Sequence, residues 1–133
     1  MTSRDRASSG TSSPSSGPRN IDAVLETINE FWSPRTFAVV NDYDVRLLKV
    51  RGEFTRHGHP DTDEFFLLLS GSLTIKLDGE EVVLAPGDSH VVPRGTYHQP
   101  IAPTDTAILL FEPRETVNTG DTPSPLTAER RVV

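Results

Sequence analysis

The sequence predicts an all-β fold, either a small barrel or a two-sheet sandwich. Seven short runs of residue types typical of strands follow one another between residues 35 and 112. Turn signals made of Gly, Pro, Asn or Asp separate these runs. In the run at 73–77 every second residue is apolar, as expected for a strand with one buried face. Many short strands joined by such turns are typical of sandwiches and barrels.

Residues 1–19 carry no signal of regular structure. Thirteen of them are Ser, Thr, Gly or Pro, and the apolar ones are Met1 and Ala7. A segment of this composition buries too little apolar surface to offset the entropy lost on ordering, so we expect a disordered tail. It has no apolar run typical of a secretory signal peptide, and we therefore expect a cytoplasmic location.

A short helix is expected over residues 20–34. Its apolar residues follow helical spacing and are Ile21, Val24, Leu25, Ile28 and Phe31. Asn20 is a suitable N-cap, and Pro34 ends the pattern because proline disfavours helix at the preceding residue. The helix has one apolar stripe, with which it is expected to pack on the barrel, and Trp32 is expected to plug its end.

The strands and turns can be placed individually. Strands are expected at 36–41, 45–50, 64–70, 73–77, 81–84, 89–92 and 107–111, and turns at 41–42, 58–61, 70–71, 78–79, 86–87, 94–95 and 100–103. The barrel therefore spans residues 35–112. The following residues, 113–133, are polar and contain prolines, and we expect them to form a loosely packed C-terminal extension.

Composition narrows the possible partners and sites. The net charge of −6 argues against non-specific binding to nucleic acid or anionic lipid. No run approaches the roughly 20 apolar residues that cross a bilayer, so no membrane association is expected. The absence of cysteine excludes disulfides, thiolate catalysis and thiolate metal sites.

The histidines and one glutamate form the pattern that carries chemistry. All four histidines lie between positions 57 and 98, and His57 and His59 are two residues apart. On an extended segment both side chains point to one face and can reach one ion. Glu64 begins the next apolar run, on the same face as Phe66 and Leu68. Burying a carboxylate alone is costly, and a cation beside it offsets that cost.

Two segments resemble the motifs of the cupin superfamily. The first runs from Gly52 through His57-Gly58-His59 and Glu64 to Gly71, and the second runs from Gly87-Asp88 through Pro93-Arg94-Gly95 to His98. The gap between Gly52 and His57 is one residue shorter than usual, and Ala102 replaces an asparagine often found after the second motif. Neither departure touches a ligand position.

This resemblance implies a cupin-type double-stranded β-helix, a jelly-roll barrel of two packed sheets. It also implies that His57, His59, Glu64 and His98 converge on one divalent metal ion. The stretch from about Phe31 to Asp121 is similar to short bacterial single-domain cupins, which are often labelled mannose-6-phosphate isomerase-like. That label reflects shared barrel ancestry more than a demonstrated reaction.

The implied ligand set leaves several reactions open. Three imidazoles and a carboxylate leave a divalent ion with one net positive charge and, in a six-coordinate ion, two open positions. Fe(II) suits dioxygenase chemistry, whereas Zn, Mn or Ni suits isomerase, cyclase or lyase chemistry. The favoured hypothesis is a metal-dependent enzyme acting on a small oxygenated metabolite. The alternatives are a non-catalytic sensor or small-molecule-binding cupin and a metal-supported structural subunit.

Other residues receive secondary assignments. Glu53 and His90 are the candidate catalytic acid–base groups, although for His90 an ordinary, partly exposed strand histidine is the favoured interpretation. The substrate-pocket candidates are Phe54, Phe66, Arg56 and Arg94. The two phenylalanines could instead belong to the core. The two arginines could be solvated or could pair with an anionic substrate.

A homodimer is also expected. The outward positions Phe65, Leu67 and Leu69 on one strand are apolar and need to be covered. Either a second copy of the chain or the opposite sheet could cover them.

Overall fold

The computed structural model describes residues 17–133. The tail expected at residues 1–19 lies outside the described residues, apart from its last three positions. Within the described part of the chain, no helix is long and apolar enough to cross a membrane.

The all-β prediction is confirmed. One short helix, α1, precedes seven strands, and their bounds are α1 Ile21–Leu25, β1 Arg35–Val40, β2 Tyr43–Glu53, β3 Glu64–Ser70, β4 Leu73–Leu77, β5 Glu80–Leu84, β6 Ser89–Val92 and β7 Gln99–Pro113. All named pairings between these strands are antiparallel.

The last strand connects the two sheets of the barrel. One sheet has the order β1-β2-β7-β3-β6, while β4 pairs with β5 and with the start of β7. Residues Gln99–Ile101 of β7 lie opposite β4, and its later residues lie between β2 and β3. The register of β2 against β7 shifts between Val50 and Gly52, where the sheet turns from one layer to the other.

Two apolar clusters fill and flank the barrel. The inner cluster contains Trp32, which precedes β1, Phe54, which follows β2, and buried residues from six strands, namely Leu48, Val50, Phe66, Leu68, Leu73, Ile75, Leu84, Val92, Ala102, Ile108 and Leu110. The outer cluster joins Val24 of α1 to Leu47 and Phe37 and also contacts Leu69. Phe65 and Leu67 remain half-buried on the same outer face, so the homodimer stays a prediction.

The helix is shorter than predicted. Its N-cap is as expected, because the Asn20 side chain accepts a hydrogen bond from the Ala23 N–H at 2.9 Å. It ends at Leu25, however, rather than near Pro34. Between Leu25 and Pro34, tertiary contacts outweigh the helical spacing of apolar residues. The Trp32 N–H donates to the Lys49 carbonyl of β2 at 2.8 Å, and Trp32 has a φ of 62°, which is not helical.

The turn predicted at 100–103 is wrong, because β7 runs through it. Pro100 lacks an N–H, but its carbonyl still accepts from the Phe54 N–H at 3.0 Å. Proline therefore keeps half of its hydrogen-bonding capacity in a strand, and the sequence signal for a turn was misleading at this position.

The C-terminal extension is more firmly packed than expected. Thr36 donates its N–H to the Arg131 carbonyl at 2.8 Å and accepts from the Val133 N–H at 3.0 Å. Arg130 forms an ion pair with buried Asp44 at 2.7 Å. The end of the chain thus lies against β1 and β2 and closes one side of the sheet.

Candidate metal centre

The two motifs are joined directly by their backbones. The His57 N–H donates to the His98 carbonyl at 3.0 Å, and the His98 N–H donates to the His57 carbonyl at 2.8 Å. This antiparallel bridge holds the two residues opposite each other, and their ring centroids are 4.4 Å apart. The Gly95 N–H donates to the His59 carbonyl at 2.8 Å and fixes the other end of the first motif.

The fourth member comes from the first residue of β3. Glu64 pairs with Val92 of β6, and its side chain points to the inner face with Phe66 and Leu68. One ligand atom from each of the four side chains lies within 4.8 Å of the others, and all four side chains are buried. The structure therefore brings together the four residues for which the resemblance predicted convergence: His57, His59, Glu64 and His98.

Two of the histidine rings have a defined orientation. Nδ1 of His57 lies 2.7 Å from the Thr55 carbonyl oxygen, and Nδ1 of His98 lies 3.0 Å from the Thr96 carbonyl oxygen. A carbonyl oxygen only accepts, so each Nδ1 donates its hydrogen. In a neutral ring, Nε2 then carries a lone pair available to a metal ion.

The remaining atoms fit a bound cation. Oε1 of Glu64 lies 3.2 Å from Nε2 of His98 and 3.3 Å from Nε2 of His59. Nε2 of His59 is buried and lacks a hydrogen bond of good geometry to any described residue. Lone pairs and a carboxylate this close repel one another unless a proton or a cation lies among them. Three imidazole nitrogens and one carboxylate suit a divalent ion such as Fe, Mn, Zn or Ni.

The protonation states also favour metal binding. Burial, aided by the neighbouring His98, lowers the pKa of His57 from 6.5 to about 4. Burial alone would raise the pKa of Glu64, but the His59 and His98 rings beside the carboxylate outweigh it and hold that pKa below its usual range. At neutral pH His57 is therefore neutral and Glu64 is ionised, which are the forms that bind metals.

A small apolar cavity adjoins this group. His57 and Glu64 contribute to its lining, together with Trp32, Phe54 and Phe66. Its volume is about 30 Å³, which is room for about two water molecules. Trp32 stacks on Phe54 with ring centroids 4.6 Å apart, and none of the Lys and Arg side chains in residues 17–133 lines the cavity.

Residues 118–121, here called the cap segment, cover the loop that carries His57 and His59. The Asp121 N–H donates to the Gly58 carbonyl at 3.0 Å, and the Asp121 carboxylate accepts from the Tyr97 hydroxyl. A Cβ at Gly120 would overlap the Gly58 carbonyl oxygen and lie 3.1 Å from Cδ2 of His57. Only glycine allows the cap segment to approach this closely.

Gly120→Ala is expected to lower the free energy of unfolding by about 1–3 kcal/mol, because the added methyl must displace the Gly58 backbone. Chemical denaturation measures the effect. Gly79→Ala is the matched control, since Gly79 also has a positive φ, of 81°, but nothing lies within 4 Å of its added Cβ. A loss at Gly120 no larger than the loss at Gly79 would contradict the close approach.

The other predicted site residues divide into two groups. Phe54 and Phe66 line the cavity. Arg56 is exposed, pairs with Asp78 at 3.0 Å and lies over the Tyr97 ring, and Arg94 is exposed and pairs with Asp63 at 3.2 Å. Neither arginine lines the cavity.

The two catalytic candidates also lie away from the four-residue group. Glu53 is exposed at the end of β2. His90, on β6, is half-buried and lies opposite Phe66 of β3. Neither lines the cavity. The structure therefore offers no geometric support for the acid–base role considered for Glu53 and His90.

Comparison with known proteins agrees with the fold and the motifs. The profile of the cupin domain family matches residues 45–112. YdbB of Bacillus subtilis (strain 168) is 36% identical over 98 residues, which cover 73% of this chain and 87% of that protein. A crystal structure of a cupin-2 domain containing protein from Shewanella frigidimarina is 40% identical, with a TM-score of 0.71, and the match covers 72% of this chain and 94% of that one.

A shorter similarity is confined to part of the chain. Quercetin 2,3-dioxygenase of Bacillus subtilis (strain 168) is 47% identical over 45 residues, which are 34% of this chain and 13% of that enzyme. The family profile matches half of the chain, and two relatives match it along most of their own length, so this chain belongs to the cupin family.

Proposed function

We propose that this cupin is a metal-dependent enzyme that acts on a small oxygenated molecule beside one divalent ion. The observation that carries the proposal is the cavity against His57 and Glu64. A structural metal site is closed by protein ligands, whereas a catalytic site keeps a position open for water or substrate. A group of four buried ligands with adjoining space fits the second description better.

The residues around the cavity define the kind of substrate. A divalent ion at the four ligands would supply Lewis-acid polarisation of a substrate oxygen. Trp32, Phe54 and Phe66 line the cavity and offer apolar or aromatic contacts to the carbon skeleton. Because no Lys or Arg of the described part of the chain lines the cavity, a phosphorylated sugar would find no cationic side chain there. We therefore favour uncharged compounds such as diketones, enols and phenolic compounds, each of which is larger than the free cavity and would have to widen it on binding.

The relatives indicate which reaction class should be tested first. The 45-residue similarity to quercetin 2,3-dioxygenase supports testing oxygen-dependent cleavage with Fe(II) first. Isomerase, cyclase or lyase chemistry with Zn, Mn or Ni is the alternative for the same ligand set. The cytoplasmic location and the homodimer both stay predictions.

The test is metal analysis of the purified protein followed by substrate screening. Protein reloaded with each of the four metals is assayed for oxygen consumption and product formation with diketones, phenolic compounds, hydroxy acids and sugar phosphates. Turnover of apolar oxygenated compounds supports the proposal. Stoichiometric binding of a compound that is recovered unchanged would identify a sensor instead. A protein that contains no metal when purified, and that binds none of the four metals when they are added, would overturn the proposal.

A substrate turned over in that screen allows a sharper test of the cavity. Phe54→Leu is expected to change kcat/KM by about tenfold or more, because contacts of a few carbon atoms in an apolar pocket differ by 1–3 kcal/mol. Phe65→Leu is the matched control, since Phe65 lies on the outer face of β3 and should leave kcat/KM unchanged. Equal effects of the two substitutions would place the substrate elsewhere.

A further inference from the structure

The cavity beside the metal centre is closed on the side of the C-terminal extension. At about 30 Å³ it holds about two water molecules, so a substrate can enter it only if part of its wall moves. Most of the wall belongs to strands or to the inner cluster. Among the lining residues in the described part of the chain, Asn118 alone follows the last strand, and its amide makes one long hydrogen bond, of 3.5 Å, to the Trp32 carbonyl. The segment around Asn118 is therefore the part of the wall that moves most easily.

A larger groove lies outside the same segment. Its volume is about 290 Å³, close to the lower limit of about 300 Å³ for pockets that hold small molecules. Val117 and Gly120 line this groove, whereas Asn118 lines the cavity. The metal centre also faces both spaces, since His59 lines the groove and His57 lines the cavity. The metal centre and residues 117–120 therefore separate the two spaces.

Residues 117–129, here called the strap, contain the cap segment and are tied down at both ends. Just before the strap, the Thr116 carbonyl accepts a hydrogen bond from the Arg46 guanidinium at 2.9 Å. Just after it, Arg130 pairs with Asp44 at 2.7 Å, and Asp44 also pairs with Arg46 at 3.1 Å. One buried ion pair thus holds both ends, and the strap is a loop whose ends lie close together.

Within the strap, side chains join its first half to its second half. The Asn118 amide donates to the Leu126 carbonyl at 2.9 Å, and the Ala128 N–H donates to the Asn118 side-chain oxygen at 2.9 Å. The hydroxyl groups of Thr119 and Thr127 are 2.7 Å apart. Leu126 also packs against the inner cluster and so favours the closed position. With these internal bonds, the strap can move as one unit.

Polar contacts hold the strap against the loop that carries His57 and His59. The Asp121 N–H donates to the Gly58 carbonyl at 3.0 Å, and the Asp121 carboxylate accepts from the Gly58 N–H at 3.3 Å and from the Tyr97 hydroxyl. These contacts of Asp121 are here called the latch. The Asp121 side chain is exposed. Because water can replace exposed hydrogen bonds, breaking the latch costs far less free energy than opening the barrel.

We propose that the strap is a lid over the metal centre. When the latch breaks, the strap swings about its two anchored ends, and the cavity and the groove become one space against the metal centre. A substrate larger than the cavity can then reach the ion, and closure afterwards shields it from water. The inference rests on the proposed function, because it states how a substrate reaches the proposed metal ion.

Amide hydrogen exchange measured by NMR tests the opening in the metal-free protein. Tyr97→Phe removes one hydrogen bond to a carboxylate from the latch, so the Asp121 N–H, which crosses the latch, is expected to exchange about tenfold faster. The Ala128 N–H bonds within the strap and should keep its rate, because the strap swings as a unit. Tyr43→Phe is the matched control: it removes the chain's other tyrosine hydroxyl, on a ring that stacks on Phe111, and should leave both rates unchanged.

A disulfide across the strap tests its control over the metal ion. The hydroxyl oxygens of Thr55 and Ser124 are 2.8 Å apart and the chain has no cysteine of its own, so Thr55→Cys with Ser124→Cys can form one defined disulfide. In the oxidised form, uptake of Co(II) and its removal by excess EDTA are expected to slow by about tenfold or more. Reduction should restore both rates. The equilibrium affinity should stay the same, because a closed lid slows entry and exit by the same factor.

Ser124→Cys alone, treated with the same oxidant, is the control and should exchange Co(II) like the unmodified protein. Equally fast Co(II) exchange in the oxidised and reduced double variant would overturn the lid. A disulfide that slows release but not uptake would show that the strap supports the ligands instead of controlling access, and the lid would again be wrong.

Hydrogen exchange separates the lid from the proposed function. If the unmodified protein binds no metal, the proposed function fails, and the Asp121 N–H still decides whether the strap opens. An Asp121 N–H that exchanges no faster than the amides of β3 would mean that the strap opens only when the barrel unfolds, and the lid would be refuted. Faster exchange of Asp121 and Ala128 together in Tyr97→Phe would mean that the strap unravels, which also contradicts a swinging lid.

Discussion

Replacing His57 or Glu64 with alanine is expected to strip the bound metal ion while leaving a folded barrel. Removing a residue that only hydrogen-bonds a metal ligand lowers metal affinity by about 10–100-fold. Removing a ligand itself should therefore lower it by more than about 100-fold. The barrel should survive because its inner cluster is built from apolar residues that do not depend on the four ligands. Metal analysis after dialysis and thermal unfolding followed by circular dichroism measure the two effects.

His90→Ala is the matched control for the ligand variants. His90 is a half-buried histidine on a neighbouring strand, outside the four-residue group. It should retain the metal content of the unmodified protein. Full metal occupancy in either ligand variant would show that the substituted residue is no ligand, and loss of metal in His90→Ala would point to an unspecific effect on the fold.

The parts of this structure that sequence analysis predicted best are those with local signals. The bounds of β3, β4 and β6 agree with the predicted runs, because apolar alternation and flanking turns define each strand within a few residues. Within each motif the signal is also local, since His57 and His59 share a face through two-residue spacing and Pro93-Arg94-Gly95 places the turn before His98. The convergence of the two motifs and Glu64 on one ion was predicted from the resemblance to cupins.

Longer-range pairing explains the errors. The helix predicted over residues 20–34 stops at Leu25 because Trp32 bonds to β2, a contact that no local pattern contains. The start of β7 was predicted as a turn because Pro100 and Pro103 are strong turn signals. The pairing of Gln99, Pro100 and Ile101 with β4 overrides that preference.

The buried charges Asp44, Arg46 and Glu112, here called the buried row, were missed although a signal was present. Asp44 and Arg46 alternate in step with Leu48 and Val50, which places two charges on the buried face of β2. Glu112 is in step with Leu110 in the same way. What the sequence could not provide was the register between β2, β7 and β3, and only that register brings these charges together with Glu64.

The same buried row yields a large expected effect on stability. Asp44→Asn should lower the free energy of unfolding by about 3–5 kcal/mol at neutral pH, the usual cost of breaking a buried ion pair. Asp44 is fully buried and accepts hydrogen bonds from Thr36 at 2.9 Å, from Arg46 at 3.1 Å and from Arg130 at 2.7 Å. Burial and the charge of Glu64 raise the pKa of Glu112, whereas the pKa of Asp44 is lowered, so Asp44 is the more readily ionised partner of buried Arg46.

The pH dependence of this effect has a definite sign. Burial alone would raise the pKa of Asp44, but hydrogen bonds from Arg130, Thr36 and Arg46 outweigh it and hold the pKa below 3.8. A carboxyl with a lowered folded-state pKa stabilises the protein above its unfolded-state pKa and loses that contribution as the pH falls through the folded-state value. The difference between the two proteins should therefore be full at pH 7 and shrink once the pH falls below about 4.

Urea denaturation from pH 7 down to pH 3 tests both the size and the sign of the Asp44→Asn effect. Asp105→Asn is the control, since Asp105 forms a pair with Arg51 at 3.0 Å in which both side chains are exposed. That pair should contribute at most about 1 kcal/mol at any pH. Two results would contradict this prediction: an Asp44→Asn variant as stable as Asp105→Asn, or a loss of unfolding free energy in Asp44→Asn that grows on acidification. Either would mean that an ionised Glu112 balances Arg46 instead. The buried row would then bring a second negative charge close to the metal centre.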